Sequence, residues 1–335
     1  MDTAVHFPTT PKAVTAKRVK LGRRLSVEQA FGRIMDNCIA QVQANDSGVA
    51  RFHDEESLHQ MRVGLRRMRS ALAIFKEVVN LPPTLQVDLD WLVESLGPAR
   101  DWDVLAGATL GKVARALPEA AAVAALRAAA LAKAHGLLAA AADAVGSVRY
   151  ARFLLALQNW VAGRGWRQAL VPGDKAQLKS QLSTFADAVL NKAQGRLCKR
   201  GAKLSGASDA ARHRVRIAAK KARYASEFFG ALYPARTLTP YLKALSRLQD
   251  TLGAMNDAAV AATLLAELNV ELNAELSAPQ ASGAAVGQLP AMAQGEAQQG
   301  RAYVLGYLAG RTDNSKKALR QDWKRFAAAT RPWTD

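Results

Sequence analysis

The chain has 335 residues, half of them hydrophobic, and carries 46 Lys and Arg against 28 Asp and Glu, a formal net charge of +18 at pH 7. This charge indicates a polyanionic partner: nucleic acid, an anionic membrane surface or inorganic polyphosphate. Aromatic residues make up only 6 % of the chain, which disfavours a base-stacking platform and favours recognition of phosphate over bases. No apolar run approaches the ~20 residues of a membrane span, so a soluble protein without a transmembrane segment is expected.

Residues 1–25 are polar and basic, and no apolar segment of a secretory signal follows Arg23 and Arg24. They predict a flexible basic arm that attracts phosphate, with an organelle transit peptide as the alternative. Cys38 and Cys198 have no metal-site or disulfide spacing, so they are interpreted as small hydrophobic residues in a reducing cytoplasm.

The first half of the chain predicts a series of helices. Ser26 and Gln29 have the spacing of a capping box, and an apolar face follows at helical period. That face comprises Phe31, Ile34, Met35, Cys38, Ile39 and Val42. Further helices are predicted at about 55–79, 84–96, 101–117, 119–145 and 148–161. The second of these is expected to end at Gly97-Pro98, and the alanine-rich fourth is expected to pack in the core rather than on a granule surface.

The second half repeats this scheme after a Gly- and Pro-rich boundary at 163–173. Helices are predicted at about 175–203, 208–232, 238–253, 256–276, 291–310 and 315–329. Residues 277–290 are small, polar and Pro/Gly-bearing, which indicates a flexible loop. The alternation typical of strands is absent, so the fold class is all-α.

A short basic helix occurs twice. It is HQMRVGLRRMRSALAIF from His59 and HRVRIAAKKARYASEFF from His213, and each basic position of the first copy is basic in the second. The His and the basic residues three, seven and ten places later fall within an arc of roughly 80°, about 15 Å long. These are the first stripe (His59, Arg62, Arg66, Arg69) and the second stripe (His213, Arg216, Lys220, Arg223).

The stripes lie opposite an apolar face and look like rows of donors without acceptors, a pattern that suits an extended anion. A single basic helical face is usually only solvated surface, but its recurrence beside a recurrent His favours a binding site. Arg offers a planar fork to phosphate oxygens and Lys a mobile point charge.

A second repeated element has the pattern LG…D. The segment 92–106 matches 245–261, so that Asp101 aligns with Asp257. Because each Asp follows an expected helix end, we favour an N-cap role for both. Orientation of an Arg or His of the stripes is the alternative.

The pattern HxxRVxxRRxRSxLxxF, repeated as HxxRIxxKKxRYxxEFF, resembles the signature basic helix of each half of the CHAD domains (conserved histidine α-helical domains). The resemblance covers about 26–330. It implies two pseudo-twofold-related helical bundles of about six helices each, with the basic helices facing a common channel or cleft. The expected division is a basic arm at 1–25, a first helical repeat at 26–165 and a second at 174–330.

The resemblance implies that the chain binds inorganic polyphosphate, without catalysis or cofactor, in the cytoplasm at polyphosphate granules. Arg67 and Lys221 lie beside the arc and are expected to extend the site. His59 and His213 admit a cap or packing role, a metal site or phosphate binding, of which we prefer the last. A secondary group comprises Arg196, Lys199, Arg200, Lys203 and Tyr224.

Two other functions stay open at this point. The same charges suit a general RNA- or DNA-binding protein, and the alanine-rich helix suits a granule-associated scaffold. Phosphate-loop, serine-hydrolase and zinc-protease motifs are absent from the sequence, and so are paired acids for Mg²⁺. Neither the polyphosphate chain length nor the oligomeric state follows from the sequence.

Overall fold

The computed structural model describes residues 11–117, 120–169, 172–204, 206–277 and 294–333. Its regular structure there is helical, with an isolated antiparallel bridge between Ser26 and Gln181. The all-α prediction is confirmed. The α-helices are α1 Val27–Gln43, α2 Asp46–Phe52, α3 Glu55–Phe75, α4 Pro83–Asp103, α5 Gly111–Ala116, α6 Ala121–Gly146, α7 Val148–Ala162, α8 Pro172–Lys179, α9 Leu182–Gly201, α10 Asp209–Phe229, α11 Ala235–Ser277 and α12 Gln294–Ala327. A π-helix, Val104–Leu110, joins α4 to α5.

The chain forms two compact units, each assembled from separate segments. The first unit comprises Met1–Arg100, Leu137–Val189 and Glu227–Leu232. The second unit comprises Asp101–Gly136, Leu190–Ser226 and Tyr233–Asp335. These units are not the sequential halves 26–165 and 174–330, which stay a prediction drawn from the repeat. The pseudo-twofold pairing and the common channel also stay predictions.

Helix α1 forms as its sequence predicts. The Ser26 hydroxyl accepts a hydrogen bond from Gln29 N at 3.2 Å, and Ser26 N donates to Gln29 Oε1 at 2.9 Å, which completes the capping box. The six predicted apolar residues of this helix are all buried. Burial of the Cys38 thiol raises its pKa to about 12, in keeping with its interpretation as a small hydrophobic residue.

Residues 11–25 pack within the first unit, in contrast to the flexible arm expected for 1–25. Val19 and Leu21 are buried, so the basic segment carries its own apolar anchors. Its backbone at Val14 exchanges two hydrogen bonds, each of 2.9 Å, with the Asn45 side chain. Residues 1–10 lie outside the described part of the chain.

Aromatic rings form the core of the first unit. Phe75 lies 5.1 Å from Phe31, 5.0 Å from Phe185 and 6.2 Å from Phe229 between ring centroids. Phe75 and Phe229 are the equivalent last residues of the two basic helices. The carboxyl ends of α3 and α10 therefore share one core.

Helix α4 does not end at Gly97-Pro98, so the predicted helix end there is wrong. Its buried residues Leu92, Leu96 and Trp102 continue at helical spacing across the Gly-Pro pair. Pro98 lacks the N–H that would bond to the Glu94 carbonyl. Because Glu94 and Pro98 are exposed, water can satisfy that carbonyl. Burial of the apolar side of α4 therefore keeps the helix continuous.

The later helices differ from their predictions for related reasons. Helix α11 runs through Leu252-Gly253, and α12 through the break expected between 310 and 315. In α12 the Thr312 hydroxyl donates to Leu308 O at 2.9 Å, a bond within the helix instead of a cap.

The predicted helix 175–203 is divided into α8 and α9, because Ser180 O accepts from Val27 N in the Ser26 bridge. Of the loop predicted at 277–290, residues 278–290 lie outside the described chain.

Helix α6 confirms the predicted alanine-rich helix. By length and composition it is apolar enough to cross a membrane, a property that core helices of soluble proteins also have. One third of its most apolar window is buried, including Val123 and Leu126. The absence of a transmembrane segment therefore stays a prediction.

Candidate functional site

Helix α3 buries its apolar side and presents the first stripe on the other. Asp54 caps its amino end by accepting from Ser57 N at 2.7 Å. Met61, Leu65, Met68 and Phe75 are buried. The four stripe residues fall outside this buried face: Arg69 is exposed, and His59, Arg62 and Arg66 are half-buried.

Helix α4 forms a second wall beside the first stripe. Arg62 Nη1 donates to the carbonyl oxygen of Leu96, and Arg69 pairs with Asp90. A Cβ on Gly97 would lie 3.5 Å from Arg62 Nη1, so Gly97 borders the same guanidinium. The prediction that the stripe donors have no acceptors is wrong at Arg62 and Arg69. These contacts hold the two guanidinium groups in place beside α4.

His59 stands among cations in the first unit. Burial and the nearby guanidinium of Arg100 lower its pKa below 6.5, the ordinary value, with smaller contributions from Arg66 and Arg62. Glu56 opposes this shift. His59 is therefore largely neutral at pH 7, and a bound anion would reverse the effect of the surrounding charges.

Helix α10 presents the second stripe in the same manner. Its buried side is built from Val215, Ala218, Ala219, Ala222 and Phe229. On the stripe side, His213 Nδ1 lies 3.1 Å from Asn256 Oδ1, and Arg223 Nη1 donates to Gln249 Oε1 at 3.2 Å. Both acceptors are on α11, so α11 forms the second wall here as α4 does for the first stripe.

Asp257 lies beside the second stripe within the second unit. The protein atoms that crowd its carboxyl raise its pKa, although part of the side chain stays exposed. Arg216 and Lys220 oppose this shift, together with a hydrogen bond from Asn256, whereas Asp101 adds to it. Asp257 is thus an acid within reach of two stripe cations.

The repeated LG…D element is an inner segment of a long helix in both copies. The predicted N-cap role of Asp101 and Asp257 is therefore wrong, since both residues lie inside helices. For Asp257, the charges beside it favour the alternative, orientation of stripe cations.

Sequence reasoning missed Asp90, Arg100, Gln249 and Asn256. Arg100 and Asn256 precede the aligned Asp residues and stand beside the two His residues. Their shared position, one residue before the aligned Asp, is the sequence signal that could have identified them.

Arg67 does not extend the site, which corrects its assignment. Only 4 % of the residue is exposed. Its guanidinium donates to Gln41 Oε1 at 2.9 Å and to Asn37 Oδ1 at 2.7 Å, and lies 5.5 Å from the centroid of the Phe228 ring. Arg67 therefore joins α1 and α3 in the first unit, whereas its counterpart Lys221 is exposed and stays a predicted binding residue.

The secondary group is a surface feature of the second unit. Arg196, Lys199, Arg200 and Lys203 are exposed, and Arg200 Nη1 donates to Arg214 O at 3.2 Å. Tyr224 is half-buried on α10. Their role in binding stays a prediction.

Helices that carry a repeated basic stripe beside a repeated LG…D segment define the class of this protein. Residues 33–266 match the CHAD domain family model. The chain belongs to the CHAD domain family, a family of non-catalytic binding domains, and no enzyme family is indicated.

Solved structures agree with this assignment. The crystal structure of the CHAD domain from the plant Ricinus communis is 33% identical, covers 98% of both chains and has a TM-score of 0.75. PptA from Streptomyces chartreusis is 17% identical, covers 90% of this chain and 100% of its own, and has a TM-score of 0.60, a likeness of fold alone. A comparison with curated proteins found no match.

Proposed function

We propose that this protein binds inorganic polyphosphate through the two stripes. The observation that carries the proposal is the recurrence of one His and three cations, in the same register, on the side of each basic helix that is not buried in its core. Membership of the CHAD family supports it, since polyphosphate binding is known for the family. The common channel implied by the resemblance belongs to the same proposal.

Phosphate recognition is favoured over base recognition by the placement of the aromatic rings. Phe31, Phe75, Trp160, Trp166 and Tyr241 are buried in the cores of the units. They are not offered for stacking with bases, from which single-strand binders gain about 1–3 kcal/mol per base. The two stripes themselves consist of Arg, Lys and His donors, which suit a polymer made only of phosphate.

A competition assay tests this proposal. Labelled long-chain polyphosphate is titrated with protein at about 150 mM salt, with tRNA added at a tenfold excess of phosphate. We expect binding to survive the tRNA, and to weaken linearly on a log–log plot as salt rises because counterions are released. Complete displacement by tRNA would overturn the assignment in favour of a general nucleic-acid-binding surface.

Localisation to polyphosphate granules in the cytoplasm follows as part of the proposal. A fluorescent fusion is expected to colocalise with the granules in cells that accumulate the polymer, and to disperse when both stripes are neutralised. Unchanged localisation after loss of the stripes would instead support a scaffold role for the alanine-rich helix α6.

Binding through the first stripe is expected to depend on pH because of His59. A polyanion raises the pKa that burial and Arg100 lower in the free protein. The complex therefore takes up a proton, so affinity increases as pH falls from 7 through the lowered pKa and levels off below it. One unit of pKa change corresponds to about tenfold in affinity.

The measurement is polyphosphate affinity between pH 7.5 and 5 at constant ionic strength. His59→Asn is expected to reduce the slope of this profile while affinity at pH 7.5 stays within about threefold. The matched variant His135→Asn removes an exposed His on α6 and should keep the slope. An unaltered slope in His59→Asn would show that His59 takes no proton on binding.

A further inference from the structure

A small cavity lies in the second unit, next to the second stripe. Its volume is about 130 Å³, and its walls come from α11, α12 and the π-helix with the start of α5. Among its lining residues Leu308 is buried, whereas Lys112 and Arg311 are exposed. The cavity therefore combines a buried apolar side chain with two exposed cations.

The π-helix shapes one wall of this cavity. It spans Val104–Leu110 and places Ala108 and Thr109 on the lining, with Lys112 following in α5. Such segments are rare and occur frequently at functional sites. The side chain of Thr109 in the π-helix and that of Lys112, two residues beyond it, therefore line the same space.

The other wall supplies an oriented guanidinium and further hydroxyls. Arg311 Nη1 donates to the Tyr307 hydroxyl at 3.3 Å, which holds Arg311 along the lining. The hydroxyls of Thr312 and Ser315 also line the cavity. In the structure both donate to backbone carbonyls of α12, and a hydroxyl can rotate to donate elsewhere.

Charge at the cavity favours an anion. Lys112 and Arg311 outnumber the acid on the lining, Asp257. Asp257 in turn lies beside Arg216 and Lys220 of the second stripe, so cations flank its charge. Because Asp257 lines the cavity and also lies beside the second stripe, the cavity adjoins that stripe within the second unit.

Size limits the ligand to a single small group. The cavity, about 130 Å³, is well below the ~300–1,000 Å³ of sites that hold a whole small molecule. A tetrahedral phosphoryl group fits this limit. An internal phosphate of a polymer continues on two sides, whereas a terminal phosphoryl group continues on one and so needs room for the chain on one side only.

We propose that the cavity between the π-helix, α11 and α12 binds the terminal phosphoryl group of a polyphosphate chain, as an end subsite of the second stripe. The proposal rests on the proposed function. It predicts that the protein distinguishes linear from cyclic phosphates, because a ring has no terminal group. The extra ionisable oxygen of a terminal phosphate, with a pKa of about 6 in phosphomonoesters, strengthens its attraction to Lys112 and Arg311.

Calorimetric titration with linear tripolyphosphate, cyclic trimetaphosphate and orthophosphate tests this subsite at constant ionic strength. The intact protein is expected to bind the linear form more tightly than the ring. Lys112→Ala with Arg311→Ala should weaken linear binding by about tenfold and leave the ring within about twofold. The control, Lys317→Ala with Arg320→Ala, removes two exposed charges from α12 outside the lining and should keep the preference.

Two results would overturn the subsite: equal losses for the linear and cyclic ligands, or a preference that the cavity variant retains. Tight orthophosphate binding that the cavity variant loses, without any change in the linear-to-cyclic ratio, would assign the cavity to free phosphate instead. Failure of the proposed function is seen separately, as long-chain binding that survives charge reversal in both stripes. Circular dichroism checks that each variant is folded.

Discussion

Reversing the charge at the centre of both stripes, by Arg66→Glu with Lys220→Glu, is expected to reduce polyphosphate affinity by about a hundredfold or more. A hydrogen bond to a charged group contributes about 1.5–3 kcal/mol, so the loss of one in each stripe already gives this factor. The two new carboxylates also repel phosphate. Both residues lie outside the buried faces of α3 and α10, so the helix content should not change.

The measurement is binding of labelled long-chain polyphosphate at about 150 mM salt, with far-ultraviolet circular dichroism on each variant. The matched control is Arg152→Glu with Lys317→Glu, which makes the same change in net charge at exposed positions of α7 and α12. It should alter affinity by less than about fivefold, since exposed charges are screened at this salt. Equal losses in the two double variants would mean that only total charge matters, and the assignment of the stripes would fail.

The sequence was sufficient to predict the faces of the basic helices. Helical period separates Met61, Leu65 and Met68 from the stripe on α3, and the structure buries all three. The capping box at Ser26 likewise specifies where α1 begins. These features depend on neighbours within one or two helical turns, so local pattern contains what is needed to find them.

The length of α4 and α11 could not be predicted in this way. Gly97 and Pro98 weaken a helix locally, but Leu92, Leu96 and Trp102 bury one side of α4 on both sides of them. That gain comes from packing against other helices, which the local signal does not contain. The same applies at Gly253, where Leu248, Leu252 and Met255 are buried on one side of α11.

This error concealed the second wall of the site. A helix end expected at Gly97 leads to a cap role for Asp101, and helical period alone does not place α4 and α11 beside the stripes. A continuous helix beside each stripe explains why Arg100 and Asn256, which lie beyond Gly97 and Gly253, stand beside His59 and His213. The same two helices carry Asp90 and Gln249, the partners of Arg69 and Arg223. Each stripe is consequently held in place before it meets a ligand, which lowers the cost of ordering long side chains on binding.

Arg67 illustrates a distinction that sequence cannot make between equivalent basic positions. It aligns with Lys221 and lies at the same angle from its stripe, yet Arg67 is buried and Lys221 is exposed. The residues packed around Arg67 explain this difference in exposure. Asn37 and Gln41 on α1 accept from the Arg67 guanidinium, so its charge is used inside the first unit.

Arg67→Met is therefore expected to lower the free energy of unfolding by about 2–3 kcal/mol while the folded protein binds polyphosphate as before. Met retains most of the aliphatic stem, so a cavity contributes little. The loss comes from the Asn37 and Gln41 oxygens, since a buried polar group left without its partner costs about 1–3 kcal/mol. Urea denaturation followed by circular dichroism measures the stability, and labelled polyphosphate measures the affinity.

Lys221→Met is the matched control, because it makes the same substitution at the equivalent exposed position. Its unfolding free energy should change by less than about 0.5 kcal/mol. Since Lys221 stays a predicted binding residue, the affinity of this variant for polyphosphate should fall by about twofold to fivefold. If Arg67→Met instead lost affinity with unchanged stability, Arg67 would be a phosphate ligand. The opposite responses expected at two aligned residues separate the structural use of positive charge from its use in binding.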